Sequence, residues 1–403
     1  MMKISIVDSV MGSNKTNWAI QYMNDNPHKK FMYITPYNKE LSDRVIPQCP
    51  ALNFRFARDG HKVADFKDGL VKGENIVATH ECFKRADAEV EALLETGDYT
   101  LILDEVLDAV MDIPLIKADV DLILTSLAVT TEDNYLVWTD EAYPNEGGKY
   151  SDIKQMAKLR KVLVLDDSFL IWLFPIGLFR KFSDVYIMTY LFPAQIQKYY
   201  FDLNGIEYKY YKVLESTPKH YELVPHDGII SNEFKSLIDI YSGDLNDIGK
   251  MGNGLTKSWY EKPTNKSNLI KLKNSIRNFF RDIYNAKAKE IIWTCYKSYK
   301  DNLKSGGYAS SFVPCNCRAT NVYGDRTYAA YCVNLHMRPM IKRYVGIGTD
   351  QEKLWALSEM LQWVWRSAIR NGQKITLYIP SRRMRELLIQ WLNNEIQLDY
   401  SIG

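Results

Sequence analysis

The run Lys3-Ile-Ser-Ile-Val7 passes directly into Asp8-Ser9-Val10-Met11-Gly12-Ser13-Asn14-Lys15-Thr16, and then into Asn17-Trp18-Ala19-Ile20. Apolar alternation, a small polar loop and a helix-compatible segment predict a strand–loop–helix unit. With Lys-Thr at the junction, this is the layout of a phosphate-binding loop. Backbone N–H groups over Gly12, Ser13 and Asn14 would cradle phosphates at the helix start. Lys15 would reach the β and γ oxygens, and Thr16 would hold Mg²⁺. Against G-x-x-x-x-G-K-[ST], however, Ser9 and Asn14 stand where glycines are expected. An ordinary strand–turn–helix corner is the competing reading.

A second feature supplies what such a loop needs. Leu101-Ile-Leu-Asp104-Glu105-Val-Leu107 reads as a buried strand ending in adjacent acids. Beside a phosphate loop, Asp104 would help bind Mg²⁺ and Glu105 would polarise the attacking water. Taken alone, an Asp-Glu pair is a common surface strand end. Two strand ends in one α/β domain that together make the parts of a nucleotide site favour the functional reading. A third feature is Gln362-Trp-Val-Trp-Arg366-Ser-Ala-Ile-Arg370, within a helix expected over 354–370. The i, i+4, i+8 spacing places Gln362, Arg366 and Arg370 on one face, a rigid mount for a guanidinium that meets a γ-phosphate. The plainer reading is an amphipathic helix with a solvated polar stripe.

Bulk properties set the frame. At 403 residues, two or three domains are the natural expectation. Hydrophobic residues at 46%, charged residues at 25% and a net charge of +2 describe a globular protein without a global nucleic-acid signature. The 27 tyrosines and 9 tryptophans serve core packing more often than base stacking. Six cysteines without repeated spacing point to a reducing compartment. No signal peptide is expected, because strand-like sequence begins at residue 3, and the apolar run 162–179 is broken by Asp166, Asp167 and Pro175. A cytoplasmic location with no membrane partner is expected.

Strands expected over 3–7, 30–35, 52–57, 75–79, 100–103 and 185–189 alternate with helical segments, the signature of a mainly parallel sheet flanked by helices. Residues 108–160 interrupt that rhythm as an insertion. After 192 the texture changes, and a second α/β pattern follows with strands over 290–295 and 374–379 and a helix over 382–393. The expected domains are therefore 1–192 and 193–403.

Taken in order, these blocks resemble the motifs of superfamily 2 helicases, especially phage-type DNA helicases related to the herpesvirus origin-binding helicases. Met11-Gly-Ser-Asn-Lys-Thr16 resembles the first motif. Ile34-Thr35-Pro36-Tyr37 and Val77-Ala-Thr79-His80 resemble the next strand-end blocks, and Asp104-Glu105-Val-Leu107 the acid box. Tyr186-Ile-Met-Thr189 sits where the third motif is expected but lacks its Ser-Ala-Thr. Arg318-Ala-Thr320-Asn321 and Gln362…Arg366…Arg370 resemble the fifth and sixth, the last arginine one residue later than usual. The resemblance implies two RecA-like domains with ATP and Mg²⁺ in the cleft between them. It implies a sensor and a finger arginine at Arg366 and Arg370, either of which could be the finger, with Gln362 beside them. Thr35, Pro36, Thr79, His80, Thr320 and Asn321 would contact single-stranded or forked DNA, RNA being open. Replication proteins would be partners in a phage or mobile element. Rival readings are a packaging-type ATPase and a degenerate, non-hydrolysing relative, the latter supported by Asn14. Two smaller clusters offer rival readings: Cys315, Cys317, Cys332 and His336 as a zinc site of poor spacing, and Arg382-Arg383-Met-Arg385 with Lys342-Arg343 as a basic patch.

Overall fold

The computed structural model describes residues 3–56, 62–229, 233–316 and 322–400. The first strands are β1 (Lys3–Asp8), β2 (Lys30–Thr35), β3 (Arg55–Phe56), β4 (Ile76–Thr79) and β5 (Tyr99–Asp104). They are followed by β6 (Val110–Ile113), β7 (Ala128–Thr130), β8 (Leu136–Trp138), β9 (Val162–Leu165) and β10 (Phe169–Leu173). Next come β11 (Asp184–Thr189), β12 (Lys209–Thr217) and β13 (His220–Pro225). The last are β14 (Ile238–Ile240), β15 (Ile291–Thr294), β16 (Tyr328–Tyr331) and β17 (Ile375–Tyr378).

Two mainly parallel sheets flanked by helices result, as the alternation of elements implied. The larger has the order β13-β12-β1-β11-β5-β2-β4-β3 and is parallel except for its terminal β12–β13 hairpin. The smaller, β14-β17-β16-β15, is parallel throughout. Each sheet anchors one compact unit, the first running to His226 and the second from Asp227. The boundary expected at 192/193 therefore moves. The cause is β12, which pairs with β1 over Ser5–Val7 and brings β13 with it. Gln21 fixes that hairpin by bracketing the Tyr221 backbone, donating to its carbonyl (3.1 Å) and accepting from its N–H (2.9 Å).

The insertion is also longer than 108–160. Strands β6, β10 and β9 form an antiparallel sheet reaching Leu173, with β7–β8 as a separate hairpin. Lys161 ties it down by donating to the carbonyls of Lys84 (3.0 Å) and Ala86, and burial pushes its ammonium down to about 8. The segment Arg338–Gly348 returns from the second half of the chain to this unit. There Arg338 pairs with Asp112 (2.5 Å) and Arg343 with Asp166.

The helix Lys15–Asp25 follows β1 because Ala19 and Met23, one turn apart, and Trp18 and Ile20 beside them can share one buried face. That face covers Val7, Phe31, Tyr33, Val77, Ile102 and Met188 of the sheet. Burying Trp18, Ile20 and Met23 contributes roughly 1.5–3 kcal/mol each. Asn26 ends the helix, its side-chain amide donating to the Tyr22 carbonyl (2.8 Å). The helix start is thereby held over the carboxyl ends of β1, β11 and β5. No helix among the described residues is long and apolar enough to cross a membrane.

Candidate nucleotide-binding site

The loop after β1 is anchored before it becomes free. Asp8, fully buried, accepts the backbone N–H of Leu191 (2.8 Å) and of Phe192 (2.7 Å). Ser9 donates its N–H to the Thr189 carbonyl (3.1 Å), and its hydroxyl accepts the Val213 N–H (2.9 Å). Ser9 thus uses, as an acceptor, the side chain that the glycine of the usual motif lacks. Gly12 takes φ 91° and Asn14 takes φ 65°, ψ 20°, both left-handed. Here the departure from the motif acquires a physical account. The residue before the lysine must be left-handed, glycine enters that region freely, and asparagine is among the few others that do.

Beyond Asn14 the helix start suits an anion. The cap side chain accepts no first-turn backbone N–H, and no acid lies in that turn. First-turn N–H groups and the positive end of the helix dipole then face the loop. The Ser13 hydroxyl is buried without a partner. Lys15 folds back to donate to the carbonyls of Ser9 and Val10 (3.0 Å to the latter). Burial lowers its pKa, against the opposing charges of Glu105, Asp8 and Asp104. The Lys-Thr junction and the acid pair are therefore brought together, as the paired motifs required.

Asp104 closes β5, in register with Met188 of β11. Tyr33, wholly buried on β2, donates its hydroxyl to Asp104 Oδ2 (3.2 Å). His80 Nε2 donates to the Asp104 main-chain carbonyl (2.9 Å). Burial, then the charges of Glu105 and Glu40, push the Asp104 carboxyl up to about 7, while Lys15 and Tyr33 hold it down. Glu105 sits at φ 66°, with its N–H on the Met188 carbonyl (2.9 Å). A left-handed glutamate costs about 1–2 kcal/mol, and such strain clusters at functional sites. The Thr35 and Thr189 hydroxyls, at the ends of β2 and β11, are buried without partners. A carboxyl held near neutrality, unpartnered hydroxyls and a lysine confined to carbonyls fit a divalent cation and a phosphate chain. Thr16 and Asp104 would take the cation, and Gly12, Ser13, Asn14 and Lys15 the phosphates.

Other expected residues fare differently. Thr35 is wholly buried with its hydroxyl unpartnered, so it offers nothing to an open track. Thr79 caps the short helix His80–Phe83, accepting the Cys82 N–H (3.3 Å), and His80 is buried. Pro36 is half-buried. Thr320 and Asn321 lie outside the described residues. The helix expected over 354–370 is Thr349–Val364, so it carries Gln362 but neither arginine. Its last turn is buried all round, and Gln362 and Arg366 are 6% and 7% exposed. Neither a projecting stripe nor a solvated face forms. Trp363 and Trp365 cannot both face inward on one helical stripe two residues apart. The chain leaves the helix after Val364, Trp365 packs edge-on against Trp391 (5.8 Å), and Arg370 falls on a following turn, half-buried.

Of the minor clusters, the basic one resolves into structure, while Cys317 of the other lies outside the described residues. Arg383 donates to the Leu335 carbonyl (2.7 Å) and Arg385 to that of Ile379 (2.7 Å), while Lys342 and Arg343 belong to the other unit. Among the described residues no three His, Cys, Asp or Glu side chains gather as a metal site. His336 is instead paired with Glu352 (2.9 Å). Asp8 and Tyr33 are the site residues that sequence reasoning missed. Asp8 was legible only as an acid closing an apolar strand, and Tyr33 carried no signal distinguishing it from core.

A SPbeta prophage-derived uncharacterized protein, YonV, of Bacillus subtilis (strain 168) is 38% identical over 415 residues, spanning 98% of this chain and 100% of that one. The chain belongs to the YonV family. Residues 110–172 match the YonV middle domain, which is the antiparallel insertion, and 232–392 match the YonV C-terminal Rossmann-like domain, which contains the smaller sheet. Two solved structures are similar to this chain in fold. One is an apo XPD structure, with a TM-score of 0.51 at 10% identity over 96% of this chain and 95% of that one. The other is S. tokodaii Xpd4, with a TM-score of 0.51 at 10% identity over 98% and 94%. At this identity the likeness shows fold alone, and the fold is helicase-like. These matches lend no support to the narrower likeness to herpesvirus origin-binding helicases.

Proposed function

We propose that this protein is an ATP-driven motor of the helicase class that acts on single-stranded or forked DNA. The observation that carries the reading is Lys15, at the start of a helix with open N–H groups, lying in the field of Asp104 and Glu105. In this reading Gly12, Ser13, Asn14 and Lys15 hold the phosphates, Thr16 and Asp104 hold Mg²⁺, and Glu105 orients the attacking water. Bound Mg²⁺ and ATP supply charge neutralisation and the phosphoryl group. Of the two arginines, we assign the phosphate-facing role to Arg370, since Arg366 is buried and Gln362 lies with it inside the second unit's core. Nucleic-acid contact falls to Pro36 and the exposed Tyr37 rather than Thr35, Thr79 or His80, with Thr320 and Asn321 as further contacts. The prophage-derived relative supports a phage or mobile-element origin, and for a motor of that origin we propose DNA replication or recombination, with replication proteins as partners.

The non-hydrolysing alternative loses its main support, because Asn14 adopts the conformation the motif glycine would. Steady-state ATPase with single-stranded DNA, forked DNA and RNA as separate arms tests the reading. Wild type is expected to hydrolyse ATP with DNA stimulation, and Glu105→Gln to lose about 10²-fold or more, the usual worth of a positioned base. Wild-type turnover that stays at background with every nucleic acid overturns it.

A further inference from the structure

The helical run after β2 comprises Asn38–Glu40, Leu41–Val45 and Ile46–Gln48, and its middle turn is π-wound. Such turns are rare and concentrate at functional sites. Leu41 and Val45 pin this turn into the core beneath the Lys15–Asp25 helix, both fully buried beside Trp18. Between them, Arg44 is left on the side facing the phosphate loop. One guanidinium nitrogen donates to Glu40 Oε1 (3.0 Å) and another to the side-chain oxygen of Asn17 (2.7 Å). With its oxygen so engaged, Asn17 turns its amide nitrogen to the side-chain oxygen of Asn14 (3.0 Å). The reverse amide orientation would set donor against donor at Arg44, so the direction of the chain is fixed.

Glu40, Arg44, Asn17 and Asn14 therefore form one hydrogen-bond chain. It ends on the residue whose left-handed backbone shapes the phosphate loop. A glycine at position 14 would give the loop its shape without any side chain to hold. An asparagine gives the shape and a handle.

We propose that Arg44 is the positioning residue of the phosphate loop, acting through Asn17 on Asn14. The proposal rests on the reading of that loop as a nucleotide site. It also gives the site a mechanical link, because the same helical run begins directly after the block 34–37. A displacement of that block would move Arg44 and, through it, the loop, and the reverse holds equally.

The test is a double-mutant cycle on the full chain, with Arg44→Ala, Arg44→Lys, Asn14→Gly and Arg44→Ala/Asn14→Gly. Amide hydrogen exchange over residues 11–18 is followed without nucleotide, and mant-ADP affinity is measured with Mg²⁺. Loss of one charge-assisted, partly exposed hydrogen bond predicts about fivefold faster exchange and about fivefold weaker mant-ADP binding in Arg44→Ala. Arg44→Lys recovers part of both, and serves alone if the alanine variant does not fold. In the Asn14→Gly background Arg44→Ala changes neither, since the chain is already cut. Equal effects of Arg44→Ala in both backgrounds, or no effect in wild type, overturn the proposal. If the exchange pattern holds but wild type binds no mant-ADP, the positioning role stands and the nucleotide reading falls.

Discussion

Asp104→Asn should stabilise the protein, and by an amount that depends on pH. In the folded chain the carboxyl is pushed from the ordinary 3.8 to about 7, first by burial and then by the charges of Glu105 and Glu40. The sign follows from linkage. A folded pKa raised above the unfolded one favours the protonated form, so the associated stability is fully present below about pH 3.8 and lost as pH rises through about 7. Above pH 7 wild type carries the whole penalty of a charged, half-buried Asp104. The rise spans roughly three pH units, at about 1.4 kcal/mol each, so the ceiling is about 4 kcal/mol. Asparagine keeps a carbonyl oxygen for the Tyr33 hydroxyl and carries no charge. We expect Asp104→Asn to gain about 2–4 kcal/mol at pH 8 and about 1 kcal/mol at pH 5. Urea unfolding followed by circular dichroism, without Mg²⁺ or nucleotide, measures both. A variant no more stable than wild type at pH 8, or one equally favoured at both pH values, refutes the reasoning.

Other perturbations probe neighbouring parts of the site. Asp8→Ala strands the buried N–H groups of Leu191 and Phe192 and should cost about 2–5 kcal/mol in the same unfolding assay. Asn14→Val places a β-branched residue at φ 65° and loses the bond to Asn17. It should cost at least about 2 kcal/mol, with Asn14→Gly within about 1 kcal/mol of wild type in thermal unfolding. Tyr33→Phe removes the hydroxyl from Asp104 Oδ2 and should weaken Mg²⁺-dependent nucleotide binding several-fold by calorimetry, while binding in EDTA is unchanged.

The parallel core of the first unit was legible because β1, β2, β4, β5 and β11 are buried on both faces and read as nearly continuous apolar runs. The hairpin β12–β13 was not. It lies at the sheet edge, where Glu215, Thr217 and Lys219 face solvent and dilute the apolar pattern. Losing it shifted the boundary by a whole hairpin. In the second unit, β16 escaped notice because its centre is Ala329-Ala330, small residues chosen by close packing between β15 and β17 rather than by strand propensity.

The candidate site shows the same division. Lys15 and Thr16 open the helix after one strongly patterned strand, and Asp104 and Glu105 close another, so a shared site could be argued from order alone. Thr35 and Thr79 also lie at strand ends, yet one is fully buried and the other spent on a helix cap. Strand-end position says where a residue is, and not which way its hydroxyl points. Helical spacing likewise over-extended the Gln362–Arg370 stripe, because tertiary packing of Trp365 overrode it. Asn14 looked like damage to a motif, and its φ of 65° makes it a substitute.

The central claim is that the Gly12–Thr16 loop is a nucleotide site. Equilibrium binding of mant-ADP with Mg²⁺ to wild type and Lys15→Ala tests it most directly. Saturable binding is expected for wild type, with a loss of about tenfold to a hundredfold in Lys15→Ala, the worth of one charge-assisted phosphate contact. Equal affinity in the two proteins, or no saturable binding by wild type, would contradict it.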